Sequence, residues 1–296
     1  MAAMRPSLTL TFILLLAAWP LSPVVQAQEN GEALRGVLEA AYGRWRDAII
    51  RKDPVGWASS ITRYRQTKIR NEIVSELRSF PEAVFSADLH PPPLTGLRLL
   101  EAEAAGATAH LVYYGKVDMG QDRELLKDNL LKLRFYQEAG VWKYDSNRII
   151  SLDSVPEVRT EIVAGRRPEF LDSPEYTPPG TMPPPPPLCR VPEFKAGYKL
   201  QSFGYEATLS AGGCDHAPVQ DSLEQQVLIG GLVKGRNEIR LKIRPGKVPD
   251  GEKPALQIRI YLLPNDSNLQ GREVLRWQAP EGSVPAEVTL PFDVNP

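Results

Sequence analysis

The chain has 296 residues, with 35 lysines and arginines against 36 aspartates and glutamates, a formal net charge of −1. That balance gives no electrostatic footprint for nucleic acid. With 42 % hydrophobic and 24 % charged residues the composition is that of an ordinary globular protein, long enough for two domains of modest size.

The first residues read as a targeting segment. Arg5 supplies a positive start, Leu8 to Trp19 is almost wholly apolar yet short for a bilayer span, and Val25-Gln26-Ala27 places small residues where a signal peptidase reads them. Residues 1–27 are therefore expected to be a signal peptide and the mature chain to begin at Gln28, exported to a periplasmic or extracellular space. The other reading of the same segment is an uncleaved anchor. No cysteine lies near Ala27 to carry a lipid, and no later apolar run is long enough to span a membrane.

Between Glu32 and Lys52 the apolar residues Leu34, Val37, Leu38, Ala41, Trp45, Ala48 and Ile49 recur at the three-and-four spacing of one helix face. Asp53-Pro54 restarts the chain as an N-cap and first helical position, and a short second helix runs through Trp57. A third helical pattern covers Thr67 to Leu77. The basic cluster Arg63, Arg65, Lys68 and Arg70, with Tyr64, reads as a solvated helix start or as a contact for an anion or nucleic acid, the former favoured because the chain has no basic excess. His90-Pro91-Pro92-Pro93 ends the helical part. The period then changes to two, and 97–103, 107–118, 129–138 and 141–150 read as strands, with Ala139-Gly140 as a tight turn between the last pair. Leu131, Leu133 and Phe135 alternate with Lys132, Arg134 and Tyr136, which predicts one face packed on the helices and one polar face.

Two segments, Tyr42-Gly43-Arg44-Trp45-Arg46-Asp47-Ala48-Ile49-Ile50-Arg51-Lys52-Asp53-Pro54-Val55-Gly56-Trp57 and Leu131-Lys132-Leu133-Arg134-Phe135-Tyr136-Gln137-Glu138-Ala139-Gly140-Val141-Trp142-Lys143-Tyr144-Asp145, carry a resemblance across roughly residues 32–152. This part resembles the cone-shaped fold of nuclear transport factor two, SnoaL-like and ketosteroid-isomerase-like proteins. The resemblance implies an α+β domain over 28–153, helices packed on a curled antiparallel sheet, with a pocket between the two. Trp45, Trp57, Tyr113, Trp142 and Tyr144 are the candidate ligand-binding residues of such a pocket; the alternative is that they are simply core. In enzymatic relatives a carboxylate acts as general base beside an oxyanion donor. Asp118, beside Met119-Gly120-Gln121, is the weak catalytic candidate, and a solvated turn is its other reading. Asp145 shares its alternation face with Lys143, on the polar side. The polar face, with His110, Tyr114, Arg134 and Tyr136, is a candidate surface for a homodimer, since related cone folds commonly pair by it.

Residues 154–187 read as a docking segment and linker. Pro156 to Ala164 suits a short helix, and Phe170, Leu171 and Tyr176 suit apolar anchors on the first domain. Seven of the ten residues from Pro178 to Pro187 are proline, which forbids helix and central strand and predicts an extended, semi-rigid linker.

From Leu188 to the end there is no helical run, and short strand candidates recur at 198–210, 225–232, 237–244, 255–263, 273–278 and 286–292. They predict an all-β antiparallel sandwich over 188–296. Gly231-Leu232-Val233-Lys234-Gly235-Arg236-Asn237-Glu238-Ile239-Arg240 resembles a turn and strand of galactose-binding-like jelly rolls, which implies a carbohydrate-associated module; Trp277 is core or a sugar platform. Cys189 and Cys214 form the one cysteine pair, and in an exported chain an even pair points to a disulfide, against two buried free thiols. Asn265-Asp266-Ser267 fits a glycosylation sequon. No metal-ligand spacing, phosphate loop, nucleophile elbow or cofactor motif is present, so neither a metal nor a cofactor is expected. The reading that follows is an exported, non-enzymatic protein that binds a small molecule or another protein. Its alternatives are an isomerase, cyclase or hydrolase using the cone pocket, and a carbohydrate-associated module of the cell envelope.

Overall fold

The computed structural model describes residues 23–86, 89–120, 126–153, 155–174, 176–264, 270–280, 282 and 284–295. Most of the targeting segment and the sequon at 265–267 lie outside the described residues. The chain opens with helix α1 (Pro23–Arg51) and helix α2 (Pro54–Ser60), joined at Asp53. Asp53 Oδ1 accepts from the backbone N–H groups of Val55 and Gly56, both at 3.0 Å, which satisfies two of the donors a helix start leaves open. Helix α3 (Arg63–Ser75) starts four residues earlier than its apolar pattern predicts, because Thr62 caps it by accepting from Arg65 N at 3.1 Å.

Four strands follow: β1 (Arg98–Ala105), β2 (Thr108–Lys116), β3 (Asp128–Glu138) and β4 (Val141–Ser151), a meander of order β1-β2-β3-β4. Ala139 and Gly140 both have positive φ, 51° and 79°, the geometry a two-residue hairpin turn requires. Leu111, Tyr113, Leu131, Leu133 and Phe135 bury one face against Leu38, Ala41, Tyr42 and Trp57 of the helices.

The other face is largely covered. Val112, Leu130 and Leu152 pack under Ile162 of helix α4 (Pro156–Val163) and under Leu171 and Tyr176 of the connecting segment. His110 and Tyr136, expected on a surface that pairs with a second copy, are 1 % and 8 % exposed. These two residues therefore offer no open surface: the chain's own connecting segment covers this part of the face. The strap is pinned at its end, where Ala107 N donates to Gly180 O and Gly180 N donates to Thr108 Oγ1, each at 2.9 Å.

The second sheet is built on β5 (Ala196–Ala211), with β6 (Cys214–Asp215), β7 (Val219–Val227), β8 (Gly235–Pro245), β9 (Ala255–Leu262), β10 (Arg272–Gln278) and β11 (Glu287–Val294). β5 pairs β9 through residues 196–203 and β8 through 205–211, with Gly204 at φ 70° between them. β7 and β6 pair β5 as well. One strand thus serves two diverging walls, which carry β10 and β11 outward on either side. Leu200, Leu209, Leu241, Ile258 and Ile260 fill the space between, all fully buried.

Two corrections to the expected fold class follow. The chain is mostly β, 41 % strand against 23 % helical, in two sheets, rather than an α+β domain joined to an all-β sandwich. The second sheet is not two sheets face to face: it is a single hydrogen-bonded sheet, nearly barrel-shaped, because β5 runs unbroken through the corner. β7 also falls at Val219–Val227 instead of 225–232. Its exposed run of Gln, Asp, Ser and Glu carries no apolar alternation, and Leu228 and Leu232 anchor the turn after it.

Gly106 tests the strap. Its φ is +51°, and a Cβ there would strike the carbonyl oxygen of Gly180; Gly140, at φ +79°, has open space around it. Gly140→Ala is expected to cost about 1 kcal/mol from backbone strain alone. Gly106→Ala is expected to cost more, on the order of 2–3 kcal/mol, because strain and displacement of the strap add. Urea denaturation of the two variants measures the difference.

Candidate functional site

The helical layer meets the first sheet around a cavity of about 240 Å³. Its walls are Trp45 and Ile49 of α1, Trp57 of α2, Ile61, Ile69 of α3 and Tyr144 of β4. Trp45 and Tyr144 lie ring against ring, centroids 4.1 Å apart and planes 32° apart, and Tyr42 closes edge-on against Tyr144 at 5.4 Å. The backbone at Ile61 bridges Tyr144 directly, which brings the start of α3 to the free edge of β4. Leu89, His90 and Met119 border the cavity, with Leu89 and Met119 substantially exposed. Arg65, Asp145 and Asn147 are the polar residues of the lining, apart from the Tyr144 hydroxyl and the rings of His90 and the two tryptophans.

Asp145 is 3 % exposed. Ser146 Oγ donates to its Oδ2 at 2.7 Å, and a guanidinium nitrogen of Arg134 lies 3.9 Å from the same oxygen. Oδ1 has no hydrogen-bond partner among the described residues. A buried carboxylate oxygen without a donor is costly, so it marks a place where a ligand's donor would be stabilising. The alternation argument placed Asp145 outside, and a β-bulge overturns it. Phe135 opposes Tyr144 while Arg134 opposes Ser146, so Asp145 is the extra residue. The bulge also shifts the phase beyond it, and Asn147 comes to oppose Leu133 on the inner face.

Of the five expected aromatics, Trp45, Trp57 and Tyr144 line the cavity and Tyr113 and Trp142 do not. Tyr113 is 1 % exposed, and its hydroxyl donates to Glu39 Oε1 at 2.5 Å, the oxygen that also accepts from Arg35 Nε at 2.7 Å. Burial first, and then Glu39, push that phenol well above its ordinary pKa. Trp142 packs half-buried at the sheet edge, and its carbonyl accepts from Arg44 at 3.3 Å. Asp118 does not line the cavity but an adjoining depression with Arg46 and Pro93, and its Oδ1 accepts from Gly120 N at 2.9 Å. That is a turn-capping role. Alternation puts Asp145 on the wrong face and the basic cluster gives Arg65 no link to the pocket, and no residue-level signal marks a bulge at Tyr144-Asp145.

Cys189 and Cys214, expected as a disulfide, are both free and buried in the structure. They meet around Asn71 of α3: Cys189 N donates to Asn71 Oδ1 at 3.1 Å, and Asn71 Nδ2 lies 3.7 Å from Cys214 Sγ. Ser75 Oγ accepts from Gly230 N at 2.7 Å, so α3 carries the second sheet through buried polar contacts. Burial first, and then Cys189, push the Cys214 thiol up to about 11. Trp277 packs partly buried against the core of the second sheet. Glu101, Glu103 and His110 bring ligand atoms within 4.8 Å of one another, but Arg167 holds Glu101 Oε2 through two nitrogens at 2.7 and 3.0 Å. The cluster is thus an ion-paired network. No helix among the described residues is long and apolar enough to cross a membrane.

No protein-family model, curated protein or solved structure matches the chain.

Two outcomes follow from this geometry. At pH 8 the native protein is expected to resist alkylation, since the buried Cys214 thiol is almost wholly protonated there, and denaturation without reductant is expected to release two thiols per chain. Mass spectrometry of the alkylated protein counts them, and a count of zero would mean the pair is oxidised. His216 gives a pH effect. Its Nε2 accepts from Ile229 N at 3.2 Å, and burial lowers its pKa from 6.5 to about 4. The unfolded chain takes the proton first, so stability is intact above about pH 6.5 and falls as the pH drops toward 4, by on the order of 3 kcal/mol. Urea titrations at pH 7 and pH 4.5 should show a smaller loss in His216→Gln than in the unsubstituted protein.

Proposed function

We propose that this is an exported small-molecule-binding protein whose ligand has an apolar, ring-sized body and a hydrogen-bond donor. The observation that carries the reading is the buried Asp145, with an unpartnered Oδ1, in the lining of an otherwise largely apolar cavity. Export rests on Arg5, the apolar run after it and Val25-Gln26-Ala27. Size narrows the ligand. An apolar cavity of about 150 Å³ takes up benzene, so 240 Å³ suits a one- or two-ring molecule. Burying its faces against Trp45, Trp57 and Tyr144 contributes about 25 cal/mol per Å² removed from water. Asp145 supplies orientation, because a ligand that brings a donor satisfies an oxygen that is otherwise desolvated.

A second reading, proton abstraction from a bound small molecule with Asp145 as base, is favoured by the same oxygen. Arg65 is the cation placed in the lining to stabilise developing negative charge.

Indole and its isostere benzofuran, which lacks the N–H, separate shape from donor. Calorimetric titration is expected to show saturable binding of both, with indole tighter by about tenfold. In Asp145→Asn that advantage should shrink while benzofuran affinity is kept. Absence of saturable binding by either compound would overturn the reading.

A further inference from the structure

A second cavity, of about 160 Å³, lies on the opposite face of the same strands, between the sheet and the strap. Its floor includes His110 of β2 and Lys132 and Arg134 of β3, and its roof Thr177, Pro178 and Pro179. In register, His110 opposes Arg134 and Val112 opposes Lys132, so the three basic side chains project from one face within two residues of each other along the strands. His110 and Lys132 are 1 % and 5 % exposed.

The hydrogen bonding of His110 is half complete. Its Nε2 lies 2.9 Å from Glu101 Oε1. Burial alone would raise the Glu101 pKa, but hydrogen bonds from His110 and Arg167 hold it below the usual carboxylate value. The carboxylate is ionised and can only accept, so Nε2 carries the proton. Nδ1 is left buried with no hydrogen-bond partner among the described residues. A side chain this deep with one unpaired polar atom, in the wall of a cavity, points to an occupant that can pair with it.

The charge at the floor defines the occupant. Glu101 is already held by Arg167, whose third nitrogen reaches Asp172 at 2.6 Å, so this acid is balanced from outside the cavity. The second acid, Glu103, is 3.9 Å from the Nε2 side of His110 and half exposed. On the cavity side stand Lys132, its ammonium 4.8 Å from the centre of the Tyr176 ring, and Arg134. Burial first, and then Arg134, push Lys132 down to about 8, as expected for a buried cation beside a second one. An anion between them would interact favourably with both cations. The volume fits: one water occupies about 30 Å³ in the liquid, so the space admits a tetrahedral or planar oxyanion.

We propose that the cavity beneath the strap is a binding site for a small oxyanion, of phosphate or carboxylate type, held by His110 Nδ1, Lys132 and Arg134 and roofed by Thr177 and Pro178. An oxyanion oxygen accepts from the ammonium and the guanidinium. A hydrogen phosphate can pair with Nδ1 in either protonation state of the ring, because it offers both a donor and acceptors, whereas a carboxylate only accepts and so pairs with Nδ1 when that nitrogen also carries a proton. The proline-rich roof has few backbone donors of its own to compete.

The test uses the full chain and three sodium salts, phosphate, acetate and chloride, at matched ionic strength. Ring-nitrogen chemical shifts of the three histidines are followed by two-dimensional NMR. A saturable shift at His110, absent from His90 and His216 and absent with chloride, is expected with phosphate, acetate or both; saturation by one alone names the type. Lys132→Met is expected to weaken that binding about tenfold, the loss of one charge-assisted hydrogen bond. No saturable His110 shift with either oxyanion up to tens of millimolar, an equal shift with chloride, or unchanged affinity in Lys132→Met would overturn the site. If Lys132→Met does not fold, Arg134→Gln takes its place, and the wild-type titration stands on its own.

Discussion

The first sheet is covered on both faces along its centre, and most of the molecule's arrangement depends on that. An antiparallel meander commonly packs one side and wets the other. Here β2 and β3 carry apolar residues on both sides, Leu111 and Leu131 inward, Val112 and Leu130 outward, all fully buried. Two covers are therefore needed. Helices α1–α3 are the first, thick and well packed. The connecting segment is the second, and it is thin: Ile162, Leu171 and Tyr176 are its buried anchors. Where the anchors end, at Lys132 and His110, the outer face turns polar and the second cavity begins. The same cover fixes where the chain goes next. Gly180 is tied to Ala107 and Thr108, and the prolines after it lead to Pro187, whose carbonyl accepts from Asn71 at 2.9 Å. The second sheet is thereby set down on α3.

The first cavity depends on a local irregularity of the same sheet. With strict pairing along β4, Asp145 would share the outer face with Lys143, and Ser146 and Arg148 would follow Tyr144 on the inner face. One extra residue changes this. It buries a carboxylate beside three aromatic rings and brings Asn147 inward. Bulges disturb the ladder and are retained where a side chain must be re-aimed. The desolvation of Asp145 is offset in part by Ser146 and by Arg134, but Oδ1 is left out. Packing alone gives no reason to place a carboxylate there.

What the sequence discloses follows from the range of each interaction. Helix α1, the Asp53 cap, the first four strands and the Ala139-Gly140 turn are set by neighbours within a few residues, and they are legible from period and turn chemistry. Trp57 and Tyr144 are legible as large buried rings and Trp45 as a partly buried one. That they wall a cavity while Tyr113 fills core depends on Glu39 and Arg35 reaching Tyr113 from another helix turn, which no spacing on β2 discloses. The bulge leaves no compositional mark. The strap over His110 brings together segments some 65 residues apart, and its polar, proline-rich sequence reads equally well as a linker. β7 fails for the opposite reason, since its pairing is carried by backbone on β5 and asks nothing of its polar side chains.

Arg134 stands between the two cavities, and magnitudes decide whether it couples them. One guanidinium nitrogen is 3.9 Å from Asp145, Nε donates to Ser146 Oγ at 3.0 Å, and the side chain also lines the space beneath the strap. In a medium of effective dielectric constant 20 a charge pair at that distance interacts by about 4 kcal/mol. The Arg134 side chain is 57 % exposed, however. Solvent-accessible pairs retain only about 0–1 kcal/mol, which caps the coupling near a fivefold change in affinity. An anion drawn to Arg134 on the outer face would loosen its hold on Asp145 by no more than that. The two sites share strands and a side chain, yet exposure keeps them energetically almost separate. Stronger coupling would have to pass through the backbone of the bulge itself, where Arg134 and Ser146 face each other across β3 and β4.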